Sequence, residues 1–282
     1  MGVKYGLLAA GAVSKSLIGQ LPAKARDIGP VAGASYRVAS RIANSLHAGY
    51  PVRSVSELND VPVVLVHAPP DQVRQFLDLL EGAQIRWKAK PLIFCDCRAG
   101  AESIRRLNAI GANAASMWRL PVSGRIAIDG APPALTPARR IARELKMKAI
   151  VIAPGAADLF DAAVTLGTDA ITPLIDSTAE LLREAGLRDK HASRLAALLF
   201  IHTARDYAHS GRQSWSWYMR KPELDRIEAQ IRAAGPRLGP AIRQLLLLGL
   251  DIFEKHADVA GELSDNNPAP LTGTASGGII PE

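Results

Sequence analysis

Val3-Lys4-Tyr5-Gly6-Leu7-Leu8-Ala9-Ala10-Gly11-Ala12-Val13-Ser14 is the stretch on which the fold turns. Val3 to Leu8 is a short, largely apolar run with glycine close by, the pattern of a buried strand. A tight turn follows at Ala9-Ala10-Gly11-Ala12. Val13 to Leu21 then predicts a helix, stopped near Pro22 because proline cannot continue the hydrogen-bond ladder. Ile28 to Ala34 reads as a second strand, its start trimmed by Gly29-Pro30, and it ends in Ser35-Tyr36-Arg37.

The alternation continues outward from this opening. Val38 to Leu46 has apolar residues at Val38, Ile42 and Leu46, a helical spacing. Val61-Pro62-Val63-Val64-Leu65-Val66 is the strongest strand. Asp71 to Leu80 follows as an amphipathic helix with Val73, Phe76, Leu77 and Leu80 on one side. Pro91 to Cys95 is a strand, and Ser103 to Ile110 a helix that Gly111 is placed to end. Ala114 to Trp118 and Ala149 to Ile152 are further strands. Between them, Thr136 to Leu145 predicts a helix capped by Thr136 with Pro137 in its first turn. Strands alternating with helices imply an α/β domain of Rossmann type, a doubly wound and mostly parallel sheet.

Strand signals stop near Pro154-Gly155. Leu159 to Ala185 predicts one long helix, irregular at Pro173 and ended by Gly186. His191 to His209, Pro222 to Ala234 and Pro240 to His256 predict three more. The expected organisation is a Rossmann domain over 1–155, an all-helical domain over 156–262, and a disordered tail over 263–282, rich in Pro, Gly, Ser, Thr and Asn. No internal repeat is visible.

Composition narrows the function classes. The chain has 282 residues, 48% of them hydrophobic, enough for one large or two modest domains with a sizeable core. No uninterrupted apolar run reaches the roughly 18 residues that span a bilayer. The N-terminus enters a strand with no signal-peptide cleavage region. A cytoplasmic protein with no membrane partner is expected. The net charge is +7, but the basic residues are scattered, as at Arg105-Arg106, Arg139-Arg140 and Arg220-Lys221. No dense run or nucleic-acid motif is present, so nucleic acid is not the expected partner. The two cysteines, Cys95 and Cys97, would share one face of a strand. Two thiols without partner ligands make a poor zinc site, and no metal is expected; buried small residues at a strand end are.

The turn after the first strand is where a dinucleotide pyrophosphate would sit. The usual fingerprint is Gly-x-Gly-x-x-Gly, and of it only the middle glycine, Gly11, remains. That glycine allows close backbone approach, and the predicted helix behind it would offer unpaired N–H groups. Ala9, Ala10, Gly11, Ala12 and Val13 are therefore the expected cofactor turn, unless the scaffold has lost its ligand. An acidic residue after the second strand would bind the ribose hydroxyls of NAD. Here Ser35 and Arg37 stand there instead, with Arg41 one turn on. A hydroxyl and a guanidinium suit the 2′-phosphate of NADP; the alternative for Arg37 is a solvated loop arginine. His67, Ala68 and Pro69 follow the strongest strand, at the edge where such sheets bind ligands. His67 either faces the nicotinamide or is a strand-end residue without a chemical role. Asp161, Thr165, Thr168 and Thr172 are spaced to share one helix face, either toward an interdomain cleft or toward solvent. Ser210 to Arg220 includes Trp215, Trp217 and Tyr218 flanked by arginines, suited to an anionic or planar ligand or to an interface.

With these motifs together, the chain resembles the two-domain predicted oxidoreductases that join a Rossmann-like half to a helical domain of unknown function, within the 6-phosphogluconate dehydrogenase-like superfamily. The likeness covers most of residues 3–256. It rests on Gly6 to Ser14, Ser35-Tyr36-Arg37, Val64 to Asp71, and Leu159-Phe160-Asp161-Ala162-Ala163. This chain departs from its relatives in three places. The first turn has fewer glycines. Ser116-Met117-Trp118-Arg119-Leu120-Pro121 stands where a His-Pro pair is common, and Phe160-Asp161 where a Tyr-His pair is common. Both imidazoles that would handle protons are absent, so no proton donor is named. The resemblance implies an NADP-dependent oxidoreductase acting on a small carbonyl or imine substrate. Asp161, Thr165 and Trp118 are the candidate substrate contacts. It also implies a homodimer formed through the helical domain, with Ala170 to Leu182 as a candidate face. The lost glycines and imidazoles leave a second reading, a catalytically inactive Rossmann protein that senses a dinucleotide or binds a partner.

Overall fold

The apolar run behind Lys4 forms β1 (Tyr5–Ala9), all five residues of it buried. A computed structural model describes residues 4–83, 85–87, 90–97, 100–214 and 224–265. Among them β2 (Ile28–Ala32), β3 (Tyr50–Pro51), β4 (Val63–His67), β5 (Pro91–Cys95), β6 (Asn113–Arg119), β7 (Arg125–Gly130) and β8 (Lys148–Val151) join β1 in one sheet. The order is β3-β2-β1-β4-β5-β6-β7-β8, and only β6 and β7 pair antiparallel. Strands buried on both faces read as continuous apolar runs, which is why β1, β4 and β5 carry so few polar residues.

Two apolar layers cover this sheet. Against one face, Tyr5, Leu7, Val31, Leu65, Ile93 and Met117 pack on α2 (Tyr36–Leu46), α5 (Pro132–Glu144) and the segment after β1. Against the other, Leu8, Val64, Val66, Leu92 and Phe94 pack on α3 (Val73–Gly82), α4 (Ala101–Ala109) and the 3-10 turns of Val55–Asp60. A single helical turn, α1 (Lys24–Asp27), leads into β2. The first compact unit runs to Thr168 and contains α6 (Ala157–Gly167).

The second unit, residues 169–282, holds helices only among its described residues. In it α7 (Ile171–Glu184) packs on α8 (Asp189–Ser210) through the buried Ala179, Ala192 and Ala196, where small side chains let two backbones approach. α9 (Leu224–Ala233) and α10 (Gly235–Asp265) complete it, linked by an Arg243–Glu228 ion pair at 2.7 Å. No described helix is long and apolar enough to cross a membrane. Trp215, Trp217, Tyr218 and the tail beyond Asp265 lie outside the described residues.

Five sequence expectations are corrected. First, Val13 to Leu21 is not an α-helix but two 3-10 turns, Val13–Lys15 and Ile18–Gln20. The Ser16 hydroxyl donates back to Val13 O at 2.6 Å and accepts from Ile18 N at 3.2 Å, replacing the helix ladder locally. Gly19 permits this: a Cβ there would lie 2.1 Å from Ser14 O. Second, α5 starts at Pro132-Pro133, whose missing amides suit the first turn, so Thr136 is no cap and Pro137 sits inside the helix. Third, Arg125–Gly130, expected to be a connection, forms β7, paired antiparallel with β6. Fourth, Leu159 to Ala185 breaks at Thr168, which takes φ −127° and ψ −74°, and forms α6 and α7. Thr168 Oγ1 bonds back to Val164 O and Thr172 belongs to α7, so the four-residue polar stripe does not exist. Fifth, Cys95 and Cys97 do not share a face. Asp96 between them is left-handed, φ +58°, and sends Cys95 into one apolar layer and Cys97 into the other.

Candidate functional site

β1 and β4 are neighbours whose crossover connections leave in opposite directions, which opens a crevice at their carboxyl ends. Ala9 pairs with His67 across these ends, and Ala10 N donates to His67 O at 2.8 Å. Gly11 then takes φ +74°, a conformation that disfavours any side chain, and a Cβ on it would press to 3.2 Å from Pro69 Cγ. Ala12, at φ −88° and ψ 64°, centres an inverse γ-turn closed by Val13 N donating to Gly11 O at 3.1 Å. Gly11 and Ala12 are exposed, and their amides have no acceptor among the described residues. The turn thus keeps free donors although the helix expected behind it is absent.

A carboxylate braces the segment in place of that helix. Asp96, just past β5, accepts from Leu17 N at 2.6 Å. Its Oδ1 pairs with Arg119 Nε at 3.4 Å, and Arg119 Nη2 donates to Lys15 O at 3.0 Å. Three strand ends are so joined over the sheet edge. Sequence reading missed Asp96 and Arg119; the signal available was a charged residue at the end of β6 and another directly after β5.

At the end of β2, Ser35 caps α2, its Oγ accepting from Val38 N at 3.3 Å. The hydroxyl proton remains available to an acceptor. Arg37 is exposed on the first turn of α2, and it has no ion-pair partner among the described residues. No acidic residue stands between Ala32 and Arg37. His67 ends β4 with Nδ1 2.9 Å from Cys95 O. A carbonyl only accepts, so the neutral ring carries its proton on Nδ1 and leaves Nε2 as an acceptor. Ala68 is buried behind it.

Trp118, near the end of β6, meets Phe160 of α6 edge-on, with ring centroids 6.4 Å apart at 77°. Asp161 follows Phe160 and is half-buried, while Thr165 is exposed one turn on. The two regions that supply the candidate substrate contacts are therefore joined by an aromatic pair. The thiols take no part. Burial pushes both up, Cys97 to about 11, which keeps them protonated and unreactive.

No protein-family model matches this chain. No curated protein matches it either. Solved structures match its fold. A candidate NADP oxidoreductase from Bacteroides fragilis aligns over 89% of this chain and 98% of its own with a TM-score of 0.67 at 14% identity. An imine reductase from Aspergillus terreus aligns over 92% and 94% with a TM-score of 0.62 at 13% identity. An imine reductase from Myxococcus stipitatus, in complex with NADP+, aligns over 91% and 94% with a TM-score of 0.57 at 10% identity. The fold of this chain is the one these oxidoreductases share, a Rossmann-type sheet followed by a helical C-terminal region.

Proposed function

We propose that this chain is an NADP-dependent oxidoreductase that passes a hydride to or from a small carbonyl or imine compound. The observation that carries the reading is the pairing of two features at one sheet edge. Gly11 and Ala12 present amides without an acceptor among the described residues at the β1–β4 crevice, and an uncommitted Arg37 without any carboxylate follows β2. Ala9, Ala10, Gly11, Ala12 and Val13 form the turn that meets the pyrophosphate. Ser35 and Arg37 meet the 2′-phosphate, and His67, Ala68 and Pro69 bound the crevice on the β4 side. The bound cofactor supplies the hydride chemistry; the protein supplies orientation and exclusion of water. Trp118, Asp161 and Thr165 contact the substrate. The solved structures of like fold include imine reductases, one of them in complex with NADP+, which supports this substrate class.

The proposal includes a homodimer in the cytoplasm. Leu195, Leu198 and Leu199 of α8 are exposed at i, i+3 and i+4 on one helix face, a stripe of apolar side chains suited to a second copy. The Ala170 to Leu182 stretch, whose one buried residue in α7 is Ala179, is the other candidate face. The test is turnover: loss of nicotinamide absorbance when NADPH is mixed with cyclic imines or with ketone and amine. One observation favours the second reading, a protein that binds a dinucleotide without turnover: the 3-10 turns where a phosphate-binding helix is usual. Tight NADPH binding with no consumption across the substrate panel would select it.

A further inference from the structure

Parallel pairing of β2 with β3 sets Val31 against Pro51, and Val52 N donates to Val31 O at 2.9 Å. This register brings Arg53 out beside Gly33-Ala34-Ser35 at the same edge of the sheet. Its guanidinium carbon lies 5.2 Å from the centre of the Tyr36 ring, and Tyr36 follows Ser35 directly. With Ser35, Ser54 and Ser56, Arg53 lines a groove of about 540 Å³. The nearby carboxylates are already committed. Asp78, also in the lining, is held by Arg106 at 2.6 Å. Glu57 Oε1 accepts from the amides of Arg53 and Ser54 at 2.9 and 3.0 Å. The exposed Arg53 side chain has no carboxylate partner among the described residues. A guanidinium laid on an aromatic face keeps its edge N–H groups free for phosphate oxygens.

We infer that Arg53, carried on the Tyr36 ring, is a specificity-determining residue that reads the 2′-phosphate of NADP from the β3 side, opposite Arg37. The inference rests on the proposed cofactor reading. Two guanidiniums then flank one dianionic group, with the Ser35 hydroxyl lining the same groove as Arg53. Glu57 acts through this residue: by accepting from the Arg53 and Ser54 amides it fixes the backbone from which the side chain departs.

The test is calorimetric titration of the full chain with 2′,5′-ADP and with 5′-AMP, which differ only in the 2′-phosphate. Wild type binds 2′,5′-ADP more tightly. Arg53→Ala weakens 2′,5′-ADP by about tenfold to a hundredfold, as expected for a lost charge-assisted bond, and leaves 5′-AMP unchanged. Arg53→Lys retains part of the preference, and Tyr36→Phe, which keeps the ring, retains most of it. Arg53 is exposed, so its replacement leaves the fold intact. If wild type prefers 2′,5′-ADP and Arg53→Ala preserves that preference, Arg53 is only a packing residue and the inference fails alone. If wild type binds neither nucleotide, the cofactor reading fails and this inference with it.

Discussion

Removing the Asp96 carboxylate should loosen the segment after β1, and its cost can be worked from the geometry. Leu17 is fully buried, and its amide is bonded to Asp96 Oδ2 at 2.6 Å. Asp96→Ala strands that amide, a loss of about 1.5–3 kcal/mol for a hydrogen bond to a charged acceptor. Alanine also tolerates the left-handed backbone, φ +58°, less well than aspartate, which adds about 1 kcal/mol. The Arg119 pair contributes under about 1 kcal/mol, because its partners are 36% and 21% exposed. Together these make a loss of about 2.5–5 kcal/mol. Asp96→Asn keeps an acceptor oxygen and the left-handed preference, so it should cost only about 1 kcal/mol. Urea unfolding with an unchanged slope is the assay, supported by melting points that fall about 2–4 °C per kcal/mol for a protein of this size. An alanine variant as stable as the asparagine variant would refute the brace.

Other consequences are as direct. Gly11→Ala forces a side chain into φ +74° beside Pro69; it should cost about 1–2 kcal/mol and weaken NADPH binding, read by melting and titration. Gly130→Ala would place a Cβ 2.4 Å from Ala115 Cα in the β6–β7 pair, so soluble expression should collapse. Asp27 is buried and paired with Lys4 and Arg26, each at 3.0 Å. Burial raises its carboxyl, but these two partners outweigh that and hold it below the usual range. Its contribution is complete above about pH 4 and is lost as pH falls through the lowered value. Asp27→Asn should therefore flatten the acid side of the stability profile. The Cys95 and Cys97 thiols should resist a thiol reagent at pH 8 in the native protein and react after unfolding.

Much of the architecture was legible because buried parallel strands are written as apolar runs. Val63–His67 and Pro91–Cys95 need no partner to be recognised. β7 was harder: Arg125-Ile126-Ala127-Ile128-Asp129-Gly130 is short, charged at both ends, and defined by its antiparallel pairing with β6, a tertiary fact. The segment after Gly11 misled for a similar reason. Its apolar residues have helical spacing, yet Ser16 satisfies its own backbone and Asp96, 79 residues from Leu17, supplies the remaining acceptor. A periodicity argument sees neither. The cysteine pair shows the limit of strand alternation, since one left-handed residue cancels it. Of the candidate site, the turn at Gly11 was readable because turn chemistry is encoded within a few residues; Ser35 to Arg37 was read as a polar strand end, whereas Ser35 caps a helix that already holds Tyr36 and Arg37. Arg53, Asp96 and Arg119 come to the sheet edge only through strand order.

The most direct measurement is calorimetric titration of the purified chain with NADPH and NADH, with Arg37→Ala alongside. The account predicts that NADPH binds more tightly than NADH and that Arg37→Ala narrows the gap by weakening NADPH alone. Binding of neither cofactor, or a preference for NADH, would contradict it.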